Sequence, residues 1–293
     1  MRKSALAATV ALLLAAAGRF GPAHAAPVEI VAAENFYGDV AAQIGGPEVQ
    51  VTSILSNPDV DPHLFEVSPA VGRAVAKARI VIESGIGYDP WLTNLLRANP
   101  AAGRATIVVA ALIGRKDGDN PHIWYDPRTM LALAERLEAT LATDDPRHAG
   151  DYAERLATFR ASIAAVEARI RELHARLAGT VATATEPVFG YMFAALGMVV
   201  RNHAFQLAVM NNTEPSAASI ARFEADLREH NVALLVYNSQ ASDPTAARME
   251  AIAKEAHVPI VGANETEPPG VSYQRWMLSE LDAVAHALPQ REE

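Results

Sequence analysis

The sequence predicts an α/β protein of two lobes, each a mainly parallel sheet flanked by helices, joined by one long linking helix. Short apolar, β-branched runs alternate with helical stretches in both halves, the pattern of parallel sheets covered on both faces. Between the halves, Asp145 to Leu177 carries Tyr152, Leu156, Phe159, Ile163, Val166, Ile170 and Leu173 at three- and four-residue steps, with charges on the other face. No further heptads follow it, which favours a helix running along the body over a coiled coil.

In the first half, strands are expected at 28–32, 49–55, 78–83 and 104–110, and helices at 34–45, 68–77 and 91–98. A further helix is expected at 126–141, with Asp126 as its N-cap and Pro127 at its first position. The second half repeats the alternation. Strands are expected at 180–185, 198–201, 233–237 and 259–262, and helices at 190–196, 216–229, 244–256 and 272–288. The corresponding division is a leader at 1–25, an N-terminal lobe at 26–144, a linking helix at 145–178 and a C-terminal lobe at 179–293.

The leader has the form of an export signal. Arg2 and Lys3 precede an apolar run from Ala5 to Ala17, and Ala23-His24-Ala25 is a small-x-small cleavage site. The run is too short for a membrane span. The expected location is therefore the periplasm. The chain carries a net charge of −9, and the leader holds three basic residues and no acid, so cleavage takes it to −12. That charge disfavours nucleic acid as a partner. There is no cysteine, which excludes disulfides, thiolate metal sites and cysteine nucleophiles. Any metal must be held by imidazole and carboxylate.

Two Pro-His pairs stand out. His63 lies in Asp61-Pro62-His63-Leu64-Phe65-Glu66, and His122 in Asn120-Pro121-His122-Ile123-Trp124-Tyr125-Asp126-Pro127. Proline stiffens each loop, and loop ends in α/β lobes are where binding residues gather. Glu186 follows the first strand of the second half and Glu265 follows its last, both at strand C-terminal ends. Each carboxylate alone would read as a cap or a solvated group. A cleft with two ligands from each lobe would explain all four. His203 is a reserve ligand. No Gly-x-Ser-x-Gly elbow, His-Glu-x-x-His helix or phosphate-binding glycine loop occurs.

At these residues the chain resembles the zinc/manganese class of solute-binding proteins that feed ABC transporters. The resemblance runs through both Pro-His motifs, Glu186 with Gly190-Tyr191, Glu214-Pro215-Ser216 and Ser272-Tyr273. It implies one divalent ion, Zn2+ or Mn2+, held between two lobes as cargo. It also implies delivery by a monomer to a membrane permease, and no catalysis. By position, His63 and His122 match the family's first two ligands, Glu186 the third and Glu265 the fourth, with Glu267 and Asn264 as alternatives across a variable loop. The histidine-rich loop of many zinc importers is absent. A metal-dependent hydrolase, a surface adhesin and a periplasmic metal store are the competing readings.

Imidazole with carboxylate suits several divalent ions, so geometry and supply must select among them. Glu66 and Asp126 are the sequence-near candidates for orienting the imidazoles. Ion binding should weaken as histidine protonates, roughly below pH 6.

Overall fold

A computed structural model describes residues 26–59, 62, 65–241 and 243–288. The leader at 1–25 and the ligand reading of His63 lie outside these described residues.

The N-terminal lobe is built on β1 (Val28–Glu34), β2 (Val49–Leu55), β3 (Ile80–Glu83) and β4 (Ala105–Val108), in the order β2-β1-β3-β4. Every pairing is parallel. Helices α1 (Asn35–Gly45), α2 (Pro69–Lys77), α3 (Pro90–Ala98), α4 (Val109–Leu112) and α5 (Pro127–Asp144) complete it. The C-terminal lobe repeats the arrangement after the linking helix α6 (Ala149–Leu177). Its strands are β5 (Val181–Ala184), β6 (Val199–Arg201), β7 (Leu234–Asn238) and β8 (Ile260–Ala263), again all parallel, in the order β6-β5-β7-β8. Its helices are α7 (Gly190–Ala195), α8 (His203–Met210), α9 (Ala217–Arg228), α10 (Pro244–Glu255) and α11 (Tyr273–Ala287).

Both sheets reverse strand order beside their first strand. Such switch points open a crevice at the carboxyl ends of the strands, and ligands bind there.

Two elements differ from the sequence reading. Helix α8 was not expected, because Asn202 enters it through a left-handed backbone (φ 63°) that no local pattern announces. Strand β4 stops at Val108, and the chain turns into α4 where the apolar run alone predicts more strand. Helix α6 begins after a 3-10 turn at Pro146–His148 and runs for 29 residues, about 44 Å at the α-helical rise. It buries the apolar stripe read from the sequence, plus Leu177. No described helix is long and apolar enough to cross a membrane.

The largest core does not stop at the lobe boundary. It joins the inner faces of both sheets to α1, α5, α6 and α11. At its centre Trp124 stacks on Phe36 at 4.8 Å, and Tyr125 meets Phe189 at 5.1 Å and Trp276 at 5.7 Å. The Tyr273 hydroxyl donates to the Trp124 carbonyl at 2.7 Å and the Tyr125 hydroxyl to the Asn264 carbonyl at 2.8 Å. Hinging the lobes apart would strip this aromatic seam and both bonds, so the fold resists wide opening.

Two glycines test the packing. Gly38 on α1 lies against β2, where an added Cβ would overlap Ser53 Oγ, whereas Gly72 on α2 faces open space. Gly38→Ala is expected to cost about 1–3 kcal/mol in urea unfolding. Gly72→Ala should stabilise by about 0.5–1 kcal/mol. Equal effects at the two sites would refute the close contact of α1 with β2.

Candidate metal centre

His122 sits between the strand ends of the two lobes. Pro121 precedes it, and a 3-10 turn at Ile123–Tyr125 follows and leads into α5. Its side chain is fully buried, with the Trp124 ring 5.2 Å away and the Tyr88 ring 6.1 Å away, both edge-on.

Asn120 sets the imidazole's protonation pattern. Its Oδ1 accepts from the His122 backbone N–H at 3.1 Å, and its Nδ2 donates to the Pro187 carbonyl at 2.7 Å. A backbone N–H can only donate and a carbonyl can only accept, so the amide can face only one way. Its Oδ1 therefore also accepts from His122 Nδ1, at 2.7 Å, and the lone pair is left on Nε2. That Nε2 is buried and has no hydrogen-bond partner among the described residues.

Glu265 Oε2 lies 3.6 Å from His122 Nε2. This is too long for a hydrogen bond. It is close to the roughly 3.4 Å that separates two ligand atoms each about 2.1 Å from one tetrahedral ion. The Glu265 carboxylate is held on both oxygens. Asn238 Nδ2 donates to Oε1 at 2.6 Å, and the Tyr88 hydroxyl donates to Oε2 at 2.9 Å. The same Asn238 Nδ2 reaches Glu186 Oε2 at 3.3 Å. One amide at the end of β7 thus ties the carboxylate after β5 to the one after β8. Burial pushes the Tyr88 phenol well above its usual range, and the Glu265 and Glu34 carboxyls add to that shift. The hydroxyl stays protonated and continues to donate.

The structure thus brings His122, Glu186 and Glu265 together. Glu267 turns elsewhere. Asn35 brackets its backbone, accepting from its N–H at 3.0 Å and donating to its carbonyl at 2.7 Å. Burial, then the nearby Asp39 carboxyl, raise the Glu267 acid to about 9. The carbonyl of Asn264 is taken by Tyr125. His203 opens α8 on the exposed surface.

The orienting groups differ from those the sequence nominated. Glu66 is exposed. Asp126 turns to its own helix, accepting from the Arg128 backbone N–H at 3.1 Å and pairing with the Arg128 guanidinium at 2.6 Å. An N-cap carboxylate is committed to the free N–H groups of its helix. The working neighbours are Asn120, Tyr88, Asn238 and Gln240, whose Oε1 accepts from the Glu265 and Thr266 backbone N–H groups at 2.6 and 3.0 Å. Asn120 was legible as part of the Asn-Pro-His run. The other three lie 25 to 177 positions from the ligand candidates they serve, from Gln240 to Glu265 at the near end to Tyr88 to Glu265 at the far end.

Beneath the centre, Glu34 ends β1 with both carboxyl oxygens buried and unpartnered among the described residues. Burial first, then Asp89 and Glu83, push its carboxyl well above the usual carboxylate range. A second cluster of Glu48, His148 and Asp151 has ligand atoms within 4.8 Å of one another. There Glu48 already pairs with Arg155 at 2.7 Å and His148 with Asp145 at 2.6 Å. Two of its three groups are thus already engaged with other side chains, and it reads as a surface polar network.

A family model described as zinc-uptake complex component A, periplasmic (ZnuA), matches residues 30–287. The manganese ABC transporter substrate-binding lipoprotein PsaA of Streptococcus anginosus is 21% identical over 300 residues, covering 95% of each chain. The periplasmic zinc binding protein TroA from Treponema pallidum superposes with a TM-score of 0.76 at 16% identity, over 91% of this chain and 100% of that one. The laminin-binding adhesin Lmb from Streptococcus agalactiae does so with a TM-score of 0.73 at 17% identity, over 89% and 100%. At such identities the structural likenesses speak for the fold. The family consists of solute-binding proteins, not enzymes, and its ABC transporter membership implies a membrane permease as partner. Since the match runs from β1 to the end of α11, through both lobes and the linking helix, this chain belongs to the ZnuA family.

Proposed function

We propose that this chain captures one divalent transition-metal ion, Zn2+ or Mn2+, between its lobes and delivers it to the permease of an ABC importer. It works as an exported, periplasmic monomer and has no nucleic-acid partner. His122, Glu186 and Glu265 are the ligands drawn from the described residues, and His63 is the fourth on the strength of its Pro-His motif. The observation that carries this reading is the His122 Nε2 lone pair, buried without a hydrogen-bond partner among the described residues and 3.6 Å from Glu265 Oε2. A buried acceptor facing a carboxylate is costly unless a cation lies between them.

The donor set argues for zinc over manganese at equal supply. Imidazole favours zinc, and the general affinity order places zinc above manganese. Asn238 also holds Glu265 Oε1, and Oε2 is the oxygen nearest His122, an arrangement that suits binding through one oxygen and a low coordination number. Likeness to an adhesin rests on fold alone and does not favour that alternative.

The test is elemental analysis and competitive Zn/Mn titration of the purified protein. One equivalent per chain is expected, with zinc displacing manganese. In Asn120→Ala the imidazole loses its orienting acceptor, and affinity should fall about 10- to 100-fold. A protein that takes up no equivalent, or an Asn120→Ala variant that binds like the parent, would sink the proposal.

A further inference from the structure

A cavity of about 500 Å³ lies where both lobes meet the linking helix, walled by Arg115, Arg128, Arg171, Ile170, Tyr191 and Ala194 among others. Its volume falls in the range of roughly 300–1,000 Å³ typical of small-molecule sites. None of the described metal-ligand candidates, His122, Glu186 and Glu265, lines it.

Its charges do not cancel. Arg128 is paired with Asp126 at 2.6 Å, and Arg171 lies 4.0 Å from Glu167. Arg115 has no carboxylate partner among the described residues. Its guanidinium stacks over the Tyr191 ring, 4.7 Å from the centroid, and its Nε is buried with no acceptor among those residues. A planar cation fixed on an aromatic face is preorganised to receive a carboxylate. The wall also holds Asp126 and Glu167, the partners of Arg128 and Arg171, which leaves one net positive charge, and its apolar part is Pro127, Ile170 and the small Ala194 and Ala195 of α7. An inorganic anion would meet the charge but leave that apolar part against water.

We propose that this cavity binds a small organic carboxylate with an apolar body, its carboxylate on Arg115 and its body against Ile170 and α7. The proposal goes beyond the metal reading and does not depend on it.

Benzoate serves as the probe, followed by ligand-observed NMR and calorimetry on the purified protein, both stripped of metal and loaded with zinc. Saturable 1:1 binding is expected in both states, so a failure of the metal reading would leave this result intact. Arg115→Gln removes the charge and keeps a polar, hydrogen-bonding side chain. Ala194→Phe fills the cavity from an exposed position, where the fold tolerates a larger side chain. Each should weaken benzoate by about tenfold or more, the effect of one charge-assisted contact or of lost space. Inorganic phosphate should not compete. Absence of saturable binding, benzoate affinity unchanged in either variant, or equal competition by phosphate would each overturn the proposal.

Discussion

Replacing His122 by alanine is expected to reduce metal affinity by more than about a hundredfold and to remove the single bound equivalent at micromolar ion. The reasoning starts from the neighbours. Losing a group that merely orients a ligand costs about 10- to 100-fold, and losing the ligand itself should exceed that. His122 is fully buried, its Nδ1 is tied to Asn120, and its Nε2 has no other task in the described structure. The variant should stay folded, because the aromatic seam rests on Trp124 and Tyr125 rather than on the imidazole. Circular dichroism checks the fold, and titration with zinc reads the loss. A His122→Ala protein that still holds one equivalent with parental affinity would remove this residue from the site.

Stripping the ion is expected to lower the thermal midpoint by about 10 °C relative to protein held at roughly a thousandfold excess of zinc over Kd. A ligand at that excess stabilises by about 4 kcal/mol, and a chain of this size shifts about 2–4 °C per kcal/mol. The difference should depend on pH in a defined direction. In the metal-free protein, burial raises Asp89 to about 6 and Glu280 to about 7, and Glu34 higher than its ordinary value by a wide margin. A carboxyl whose folded pKa is raised contributes fully below its unfolded value, and that contribution is lost as pH rises through the folded one. These acids therefore favour the folded metal-free state near pH 4 and weaken it between about pH 5 and 8. Ion binding runs the other way, since protons compete for the histidines and carboxylates. The gap between metal-free and loaded midpoints should widen from pH 5 to pH 8 in differential scanning calorimetry. A gap that narrows over that interval would contradict the ligand set, while the buried acids should lower both midpoints alike as pH rises.

Much of the candidate site was readable before folding because its signals are local. The Asn-Pro-His run contains both His122 and the amide that orients it, within three positions. Glu186 and Glu265 follow strands, and strand ends are where open α/β sheets bind ligands. Asp126 shows the limit of nearness in sequence. It stands four residues from His122 yet spends its carboxylate on the first turn of α5. Tyr88 stands 177 positions from Glu265 and donates to it directly.

By itself the sequence determined the alternation of strands and helices, the 3.6-residue stripe of α6 and the two stiffened Pro-His loops. Each is a periodic or contiguous pattern that a few neighbouring residues specify. Only the tertiary structure decided which carboxylate of the Glu265-Thr266-Glu267 run faces His122. Those two acids are two positions apart on an irregular loop, where no period assigns a direction. Gln240 grips the backbone at 265 and 266, and Asn35 from the other lobe grips it at 267. These contacts turn Glu265 toward the imidazole and Glu267 toward Asp39. Packing across the lobe boundary made that choice, because the two gripping side chains come from distant parts of the chain.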